Sequence, residues 1–292
     1  MAGFSHVLNV IADDAPDAAL RLKDIGPAIW LSPGRAFDIA FDGDPDVLSQ
    51  ARSWCGGDVN ALALRGRCKK LLVADMDSTV IACECLDELA DQAGLKARVA
   101  AITERAMRGE IGFEGALKQR VALLKGLPLA ALERTYRERV RLTPGARALV
   151  ATMKAHGAAT LLVTGGFTYF AQRVAADAGF DRFQANRLLD DGSRLTGEVA
   201  EPILGRDAKR EGLEAECARL GIAFADALGI GDGANDLDMV RAAGLGVAFH
   251  AKPVLAEAAA AAIAKADLTG LLYLQGYSDG EIAQAYPSFN AT

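Results

Sequence analysis

Between residues 69 and 270 the chain alternates short apolar runs with longer segments in which apolar residues recur at helical spacing. Short apolar runs bounded by glycine or polar residues are typical of strands buried on both faces of a parallel sheet. The pattern predicts strands at 71–74, 158–163, 227–231 and 246–249, a hairpin of 183–189 with 193–199, and helices at 144–156, 168–178, 206–220 and 256–266. This alternation predicts an α/β fold with a Rossmann-like parallel sheet.

Residues 1–67 have a different pattern of short strands and short amphipathic helices. Strands are predicted at 6–12, 28–31, 36–41 and 59–64, and helices at 17–25 and 45–54, in the order βαββαβ. This is the element order of a small ferredoxin-like α+β domain. Because no polar cluster converges in this segment, we expect an interaction or regulatory module, and a homodimer formed through it is one role open to it.

The stretch 85–141 has helical period and is rich in charge. Apolar stripes run along 86–93, 121–127 and 129–140. Since this helical stretch interrupts two strand-forming segments, it predicts a helical-bundle cap that covers a site on the sheet. The expected domain division is therefore 1–67, a core of 68–84 with 142–292, and a cap of 85–141.

Composition narrows the classes of partner. The formal net charge of −6 over 292 residues argues against broad binding to nucleic acid or anionic membranes. No apolar run approaches the ~20 residues that span a bilayer, and the first residues lack the basic and apolar segments of a signal peptide. Five cysteines without regular spacing favour free thiols over disulfides. We therefore expect a cytoplasmic protein with neither nucleic-acid nor membrane partners.

Three of the predicted strands end in small polar segments. Asp75 and Asp77 follow the first, Thr164-Gly165-Gly166 the second, and residues 231–236 the third. The carboxyl ends of parallel strands meet at one edge of a sheet, where ligands bind. Taken singly, the carboxylates could be solvated in a surface turn and Lys209 could be an exposed helix lysine. Together they favour a site for an anion and a metal, because glycines admit close N–H groups and carboxylates are hard ligands for Mg²⁺.

These segments, taken in order, resemble the motifs of a known superfamily. Asp-x-Asp-Ser-Thr at 75–79, Thr-Gly-Gly at 164–166, Lys209 and Gly-Asp-Gly-Ala-Asn-Asp at 231–236 are similar to the motifs of haloacid-dehalogenase-like (HAD) phosphatases. The likeness covers about residues 69–270. It implies a HAD core with a cap insertion and a phosphatase activity. One departure is Thr164, where many relatives have serine, although the hydroxyl is retained.

The predicted cap carries a narrower resemblance. Glu84, Arg105-Ala106-Met107, Phe113 and the segment 118–128 are similar to the phosphoserine phosphatase family. The N-terminal segment is similar to the shortened regulatory (ACT-type) domain of bacterial relatives. Because the caps of HAD enzymes differ most between substrates, this likeness implies hydrolysis of O-phospho-L-serine to L-serine and phosphate, the last step of serine biosynthesis.

The resemblance assigns the reacting groups. Asp75 would attack phosphorus and form an aspartyl-phosphate, while Asp77 would protonate the departing serine oxygen and then accept a proton from water. Mg²⁺ would be held by Asp75, Asp232 and the main-chain carbonyl of Asp77. Asp236 would orient the groups around the metal.

The resemblance also assigns the groups that bind substrate. Thr164, the Gly165 N–H and Lys209 would hold phosphate oxygens, with Asn235 nearby. In the cap, Glu84 would pair with the substrate ammonium and Arg120 with its carboxylate. Met107 and Phe113 would shield the site from water.

The sequence is also compatible with two other functions. One is a HAD phosphomonoesterase or phosphotransferase that acts on a different small substrate. The other is a catalytically silent amino-acid sensor in which the N-terminal segment binds the ligand. Glu84 with Arg120 favours phosphoserine, since a zwitterionic amino acid needs both signs of charge.

Overall fold

The computed structural model describes residues 4–108 and 110–289, and it begins with an antiparallel sheet. Its elements are β1 (His6–Ile11), α1 (Ala15–Arg21), β2 (Ile29–Ser32), β3 (Ala36–Phe41), α2 (Pro45–Trp54) and β4 (Asp58–Ala63). The strands lie in the order β2-β3-β1-β4. The predicted βαββαβ order is confirmed, with small shifts at the element ends.

The rest of the chain forms a parallel sheet, a hairpin and the helices around them. The further strands are β5 (Leu71–Ala74), β6 (Ala159–Phe167), β7 (Arg182–Asn186), β8 (Leu188–Asp190), β9 (Leu195–Val199), β10 (Ala227–Gly231), β11 (Leu245–Phe249) and β12 (Ala261–Ile263). The further helices are α3 (Cys85–Gln92), α4 (Lys96–Met107), α5 (Phe113–Ala122), α6 (Ala130–Arg139), α7 (Ala146–Ala155), α8 (Thr168–Ala178), α9 (Ala208–Leu220), α10 (Leu237–Ala242), α11 (Pro253–Ala256), α12 (Gly270–Gln275) and α13 (Asp279–Ala285).

The parallel sheet has the order β12-β11-β10-β5-β6-β7, so β5 lies between β10 and β6. All four residues of β5 are buried, because side chains cover both faces of the sheet. Leu72 packs in the apolar layer that contains Phe170 of α8, and Leu71 packs in the layer that contains Leu213 of α9. The predicted α/β class with a Rossmann-like sheet is confirmed, and β5 stands at the centre of it.

Helices α3 to α6 form the insertion between β5 and β6. The sequence predicted three apolar stripes in this region and did not separate α4 as a helix of its own. Among the α4 side chains that the structure describes, the buried apolar one is that of Val99, so this helix shows only a narrow apolar stripe. None of the helices within the described ranges is long and apolar enough to cross a membrane.

The predicted hairpin of 183–189 with 193–199 is wrong in its first strand. Residues 182–186 instead form β7, which pairs in parallel with β6 at the end of the large sheet. The hairpin itself is β8 with β9, around the Asp190-Asp191-Gly192 turn. The turn signal was therefore correct. Arg187 separates β7 from β8, which the apolar pattern had predicted as one continuous strand.

The predicted alanine-rich helix at 256–266 is also wrong. Residues 261–263 form β12, the edge strand beside β11, and only a single helical turn, α11, precedes it. The side chain of Asn60, on β4, donates to the Ala262 carbonyl (3.0 Å) and accepts from the Ala262 N–H (2.9 Å). Alanine favours helix locally, but these hydrogen bonds to the N-terminal sheet and the pairing with β11 favour the extended form.

The N-terminal sheet is docked on the core through buried polar contacts. The Asn9 amide donates to Asp38 Oδ1 (2.7 Å) and to the Tyr273 carbonyl of α12 (3.1 Å). Arg67 pairs with Asp38 at 2.5 Å and donates from Nε to the Leu274 carbonyl (3.0 Å). Helix α12, which the sequence pattern did not predict, thus provides part of the surface to which the first domain attaches.

Candidate active site

Asp75 lies at the carboxyl end of β5, between the ends of β6 and β10. Residues 76–80 form a tight turn in which Ser78 has a φ of 56°. A residue other than glycine in this left-handed region is uncommon and costs energy. The turn directs the chain back toward the sheet edge, so that Asp77 also lies close to the end of β6.

Lys209 is a buried cation between two carboxylates. Its Nζ lies 2.8 Å from Asp75 Oδ1 and 2.5 Å from Asp236 Oδ1. Burial lowers the pKa of Lys209, but the charges of Asp75 and Asp236 outweigh this effect and raise it above its usual value. Lys209 therefore stays protonated, and the alternative of an exposed helix lysine is wrong.

Burial raises the pKa values of both Asp75 and Asp77. Burial and the charge of Asp236 raise the pKa of Asp75 well above its usual value, against the opposing effect of Lys209. Burial likewise raises the pKa of Asp77, against hydrogen bonds from Cys85 and Thr164. A raised pKa favours the protonated form of Asp77, which is the form that can donate a proton.

The Asp77 carboxylate joins the core to the start of the cap. Its Oδ1 accepts from the Cys85 N–H of α3 (2.8 Å) and its Oδ2 from Thr164 Oγ1 (3.0 Å). The Gly166 N–H donates in turn to Thr164 Oγ1 (2.8 Å). A Cβ at Gly166 would lie 2.9 Å from Asp77 Oδ2, so the glycine is needed for this approach. The Thr-Gly-Gly segment lies in strand β6 itself, although the sequence had placed it after the end of the strand.

Three carboxylates can offer oxygens to one cation. Oxygens of Asp75, Asp232 and Asp236 all lie within 4.8 Å of one another, and all three residues are buried. Buried, hard oxygen ligands suit a divalent cation. The Asp236 carboxylate, however, is already bonded: Oδ1 contacts Lys209, and Oδ2 accepts from the Asp232 N–H (3.2 Å) and the Gly233 N–H (3.0 Å). Asp75 and Asp232 are therefore the better candidates for ligands, and Asp236 orients the loop.

The residue before the cap and the cap itself supply a carboxylate and a guanidinium. Glu84 accepts a hydrogen bond from Ser78 Oγ (2.7 Å), while burial and the charge of Asp77 raise its pKa. Arg120 is half-buried on α5 and donates from Nε to the Ala116 carbonyl (3.4 Å). Burial lowers the pKa of Arg120, and the nearby charges of Asp87 and Glu84 oppose that effect. Glu84 and Arg120 thus bring opposite charges to one region.

These residues line one pocket of about 310 Å³. The sequence-predicted residues in its lining are Asp75, Asp77, Glu84, Phe113, Arg120, Thr164, Gly165, Asp232 and Asn235. Lys209 and Asp236 lie buried behind them. Phe113, with 38% of its surface exposed, contacts the core from the cap, since a Cβ at Gly165 would lie 3.2 Å from its ring. The Met107 side chain lies outside what the structure describes.

The pocket also contains polar residues that the sequence reasoning missed. These are Asp87 and Thr103 in the cap, and Lys252 after β11. Lys252 follows a fourth strand whose carboxyl end lies at the same edge, because β11 is the neighbour of β10. The rule that ligands bind at the carboxyl ends of parallel strands would have found it, had it been applied to this strand as well.

The fold and the site together define a class of enzyme. An aspartate at the centre of a parallel sheet, a buried lysine, a carboxylate cluster for a divalent cation and a helical cap are the parts of an aspartate-based phosphoryl-transfer site. The small pocket suits a compact phosphate ester.

Comparison with known proteins gives the family. The model of the haloacid dehalogenase-like hydrolases matches residues 72–241. A relative from Polaromonas sp., a phosphoserine phosphatase, is 49% identical over 210 residues, which are 70% of this chain and 89% of that protein. The chain belongs to the haloacid dehalogenase-like hydrolases and, within them, to the phosphoserine phosphatase family.

Two solved structures agree with this assignment. A HAD family hydrolase from Salmonella enterica serovar Typhi matches with a TM-score of 0.80 and 28% identity, over 92% of this chain and 98% of that one. A phosphoserine phosphatase with an analogue of the phospho-aspartyl intermediate matches with a TM-score of 0.65 and 40% identity, over 70% of this chain and 98% of that one. The chain is therefore a HAD enzyme with an added N-terminal domain.

Proposed function

We propose that this enzyme hydrolyses O-phospho-L-serine to L-serine and phosphate, the last step of serine biosynthesis. The observation that carries the proposal is the pair of opposite charges, Glu84 and Arg120, in the same pocket as Asp75. A phosphorylated amino acid presents an ammonium and a carboxylate beside its phosphate, so both charges find a partner. The relative from Polaromonas sp. bears the name of this activity.

Asp75 acts as the nucleophile in the proposed mechanism. The Met76 N–H (2.8 Å) and Lys209 Nζ (2.8 Å) both contact Asp75 Oδ1, so among the described contacts Oδ2 is the oxygen left for attack or for metal. Attack on phosphorus forms an aspartyl-phosphate and releases the serine oxygen, which takes a proton from Asp77. Asp77 then accepts a proton from the water that hydrolyses the intermediate.

Mg²⁺ is the proposed cation, held by Asp75, Asp232 and the main-chain carbonyl of Asp77. When bound, it neutralises negative charge on the phosphoryl group. Thr164, the Gly165 N–H, Lys209 and Asn235 hold the phosphate oxygens. Asp236 keeps Lys209 and the Asp232 loop in place through the contacts described above.

A phosphate-release screen over small phosphomonoesters, with and without Mg²⁺, tests the proposal. We expect phosphoserine to give the highest kcat/KM, ahead of phosphothreonine and sugar phosphates, and we expect a chelator to abolish turnover. A sugar phosphate preferred over phosphoserine would instead support the alternative, a HAD phosphomonoesterase or phosphotransferase for another substrate. Binding of amino acids without any phosphate release would support the silent sensor.

Arg120→Ala is expected to raise KM for phosphoserine by about 10- to 100-fold, because one charged hydrogen-bonding partner of the substrate carboxylate is lost. The KM for p-nitrophenyl phosphate, which has no carboxylate, should change by less than about threefold. Steady-state kinetics with both esters measures the difference. Arg98→Ala, on the neighbouring exposed surface of α4, is the matched control. Equal effects on the two esters would contradict the role of Arg120.

Three further statements stay predictions from the sequence. The domain division at residues 67, 84 and 141 is one, and location in the cytoplasm is another. A homodimer through the N-terminal domain is the third. The open edge of β2 supports it, since Ile29 and Trp30 are 42% and 39% exposed there. The molar mass in solution would test it.

A further inference from the structure

A fourth loop reaches the active-site edge, in addition to those after β5, β6 and β10. It follows β11 and consists of His250, Ala251 and Lys252. Lys252 lines the same pocket as Asp75 and Asp232. The proposed mechanism gives no role to this lysine.

Lys252 contacts the proposed metal ligand Asp232 in two ways. Its N–H donates to the Asp232 carbonyl (2.8 Å), and its Nζ lies 3.6 Å from Asp232 Oδ2. Yet 67% of its side chain is exposed. The ammonium therefore lies at the mouth of the pocket, beside the reacting centre and open to solvent.

The backbone that carries Lys252 is held firmly. His250 has a φ of 45°, its N–H donates to the Ile263 carbonyl (2.8 Å), and its Nε2 lies 2.8 Å from the Ala266 carbonyl. The carboxylate of Asp58, on β4, accepts from the N–H groups of residues 264–266. These contacts, some of them with the N-terminal domain, thus fix the position of the Lys252 backbone.

The charges of the pocket show why a cation at its mouth matters. Five carboxylates line it: Asp75, Asp77, Glu84, Asp87 and Asp232. The charge of Lys209 is already balanced by two buried carboxylates, and Arg120 lies on the cap. With the proposed cation on Asp75 and Asp232 and a proton on Asp77, the carboxylates of Glu84 and Asp87 still face a phosphate dianion that approaches from solvent. Lys252 is the exposed cation among the described lining residues.

We propose that Lys252 is a substrate-guiding residue, which attracts the phosphate group toward Asp75 and takes no part in the chemical steps. The inference rests on the proposed hydrolysis of a phosphomonoester. A charge at a pocket mouth raises the rate of productive association with an oppositely charged ligand, and salt screens this effect.

Lys252→Gln is expected to lower kcat/KM about fivefold at low ionic strength, for phosphoserine and for p-nitrophenyl phosphate alike. The kcat should stay within about twofold, and the loss in kcat/KM should disappear near 0.5 M salt. Lys252→Arg keeps the charge and should restore kcat/KM. Lys23→Gln removes the same charge from an exposed site in the N-terminal domain and controls for net charge.

Several outcomes would overturn the inference. One is that the wild type is active and that Lys252→Gln has the same kcat/KM as the wild type at low salt. Another is a loss in kcat that salt does not change, since it would place Lys252 in the chemistry. A raised Mg²⁺ requirement would mean that Lys252 acts by orienting Asp232. Failure of the wild type to hydrolyse either ester would instead refute the proposed function, and the inference with it.

Discussion

Asp75→Asn is expected to lower phosphate release from phosphoserine by about 10⁴-fold or more, because an amide oxygen does not attack phosphorus as a carboxylate does. The substitution keeps the size of the side chain and leaves an oxygen to accept from the Met76 N–H. Steady-state phosphate release from purified protein measures the effect. Asp24→Asn, at an exposed site in the N-terminal domain, is the matched control and should retain wild-type turnover.

The same variant should not lose stability in metal-free buffer. Burial and the charge of Asp236 raise the pKa of Asp75 in the folded state. For a carboxyl group whose folded pKa lies above its unfolded pKa, ionisation disfavours folding once the pH exceeds the unfolded value. A neutral asparagine removes that cost, so Tm near pH 7 should be unchanged or higher. Lys209 retains Asp236 as a partner.

An Asp75→Asn variant that still releases phosphate at the wild-type rate would remove Asp75 as the nucleophile.

Asp77→Asn is expected to lower turnover of phosphoserine by about 10²- to 10⁴-fold, because the leaving serine oxygen then receives no proton. The asparagine can still accept from the Cys85 N–H and contact Thr164, so the geometry of the site should persist. The effect on the first step should be much smaller with p-nitrophenyl phosphate, since p-nitrophenolate leaves without protonation.

Rapid-mixing kinetics separates the two steps for this variant. With p-nitrophenyl phosphate, Asp77→Asn should release about one equivalent of p-nitrophenol per enzyme in a burst and then turn over slowly, because the aspartyl-phosphate accumulates. With phosphoserine, no burst of serine is expected. Asp24→Asn again serves as the control. A burst of serine equal to that of the wild type would exclude Asp77 as the proton donor.

Much of the fold was predictable because its signals are local. The strands at 71–74 and 227–231 have the predicted bounds, since an apolar run closed by polar residues at a sheet edge has few alternatives. The errors arose where tertiary contacts outweigh local preference. Residues 261–263 are extended because β11 and Asn60 bind them, and residues 182–186 join β6 instead of pairing as a hairpin.

The candidate site was predictable to a similar degree. The motifs named Asp75, Asp77, Asp232 and Lys209, and the structure brings these residues together at one edge. Lys252 was missed because the rule for strand ends was not applied to the fourth predicted strand, 246–249, which this lysine follows. That Lys252 lies at the same pocket as Asp232 follows from the position of β11 beside β10.

The sequence by itself indicated the class of chemistry, since the motifs at 75–79, 164–166, 209 and 231–236 can be recognised together, in order, without any knowledge of long-range contacts. It also indicated that Glu84 and Arg120 carry opposite charges suited to a zwitterionic substrate. Only the tertiary structure decided that Lys209 lies between Asp75 and Asp236, and that Lys252 lies at the pocket mouth. The first placement depends on the strand order of the large sheet, and the second depends also on the contacts of β4 with residues 264–266. Both arise from packing between residues far apart in the chain.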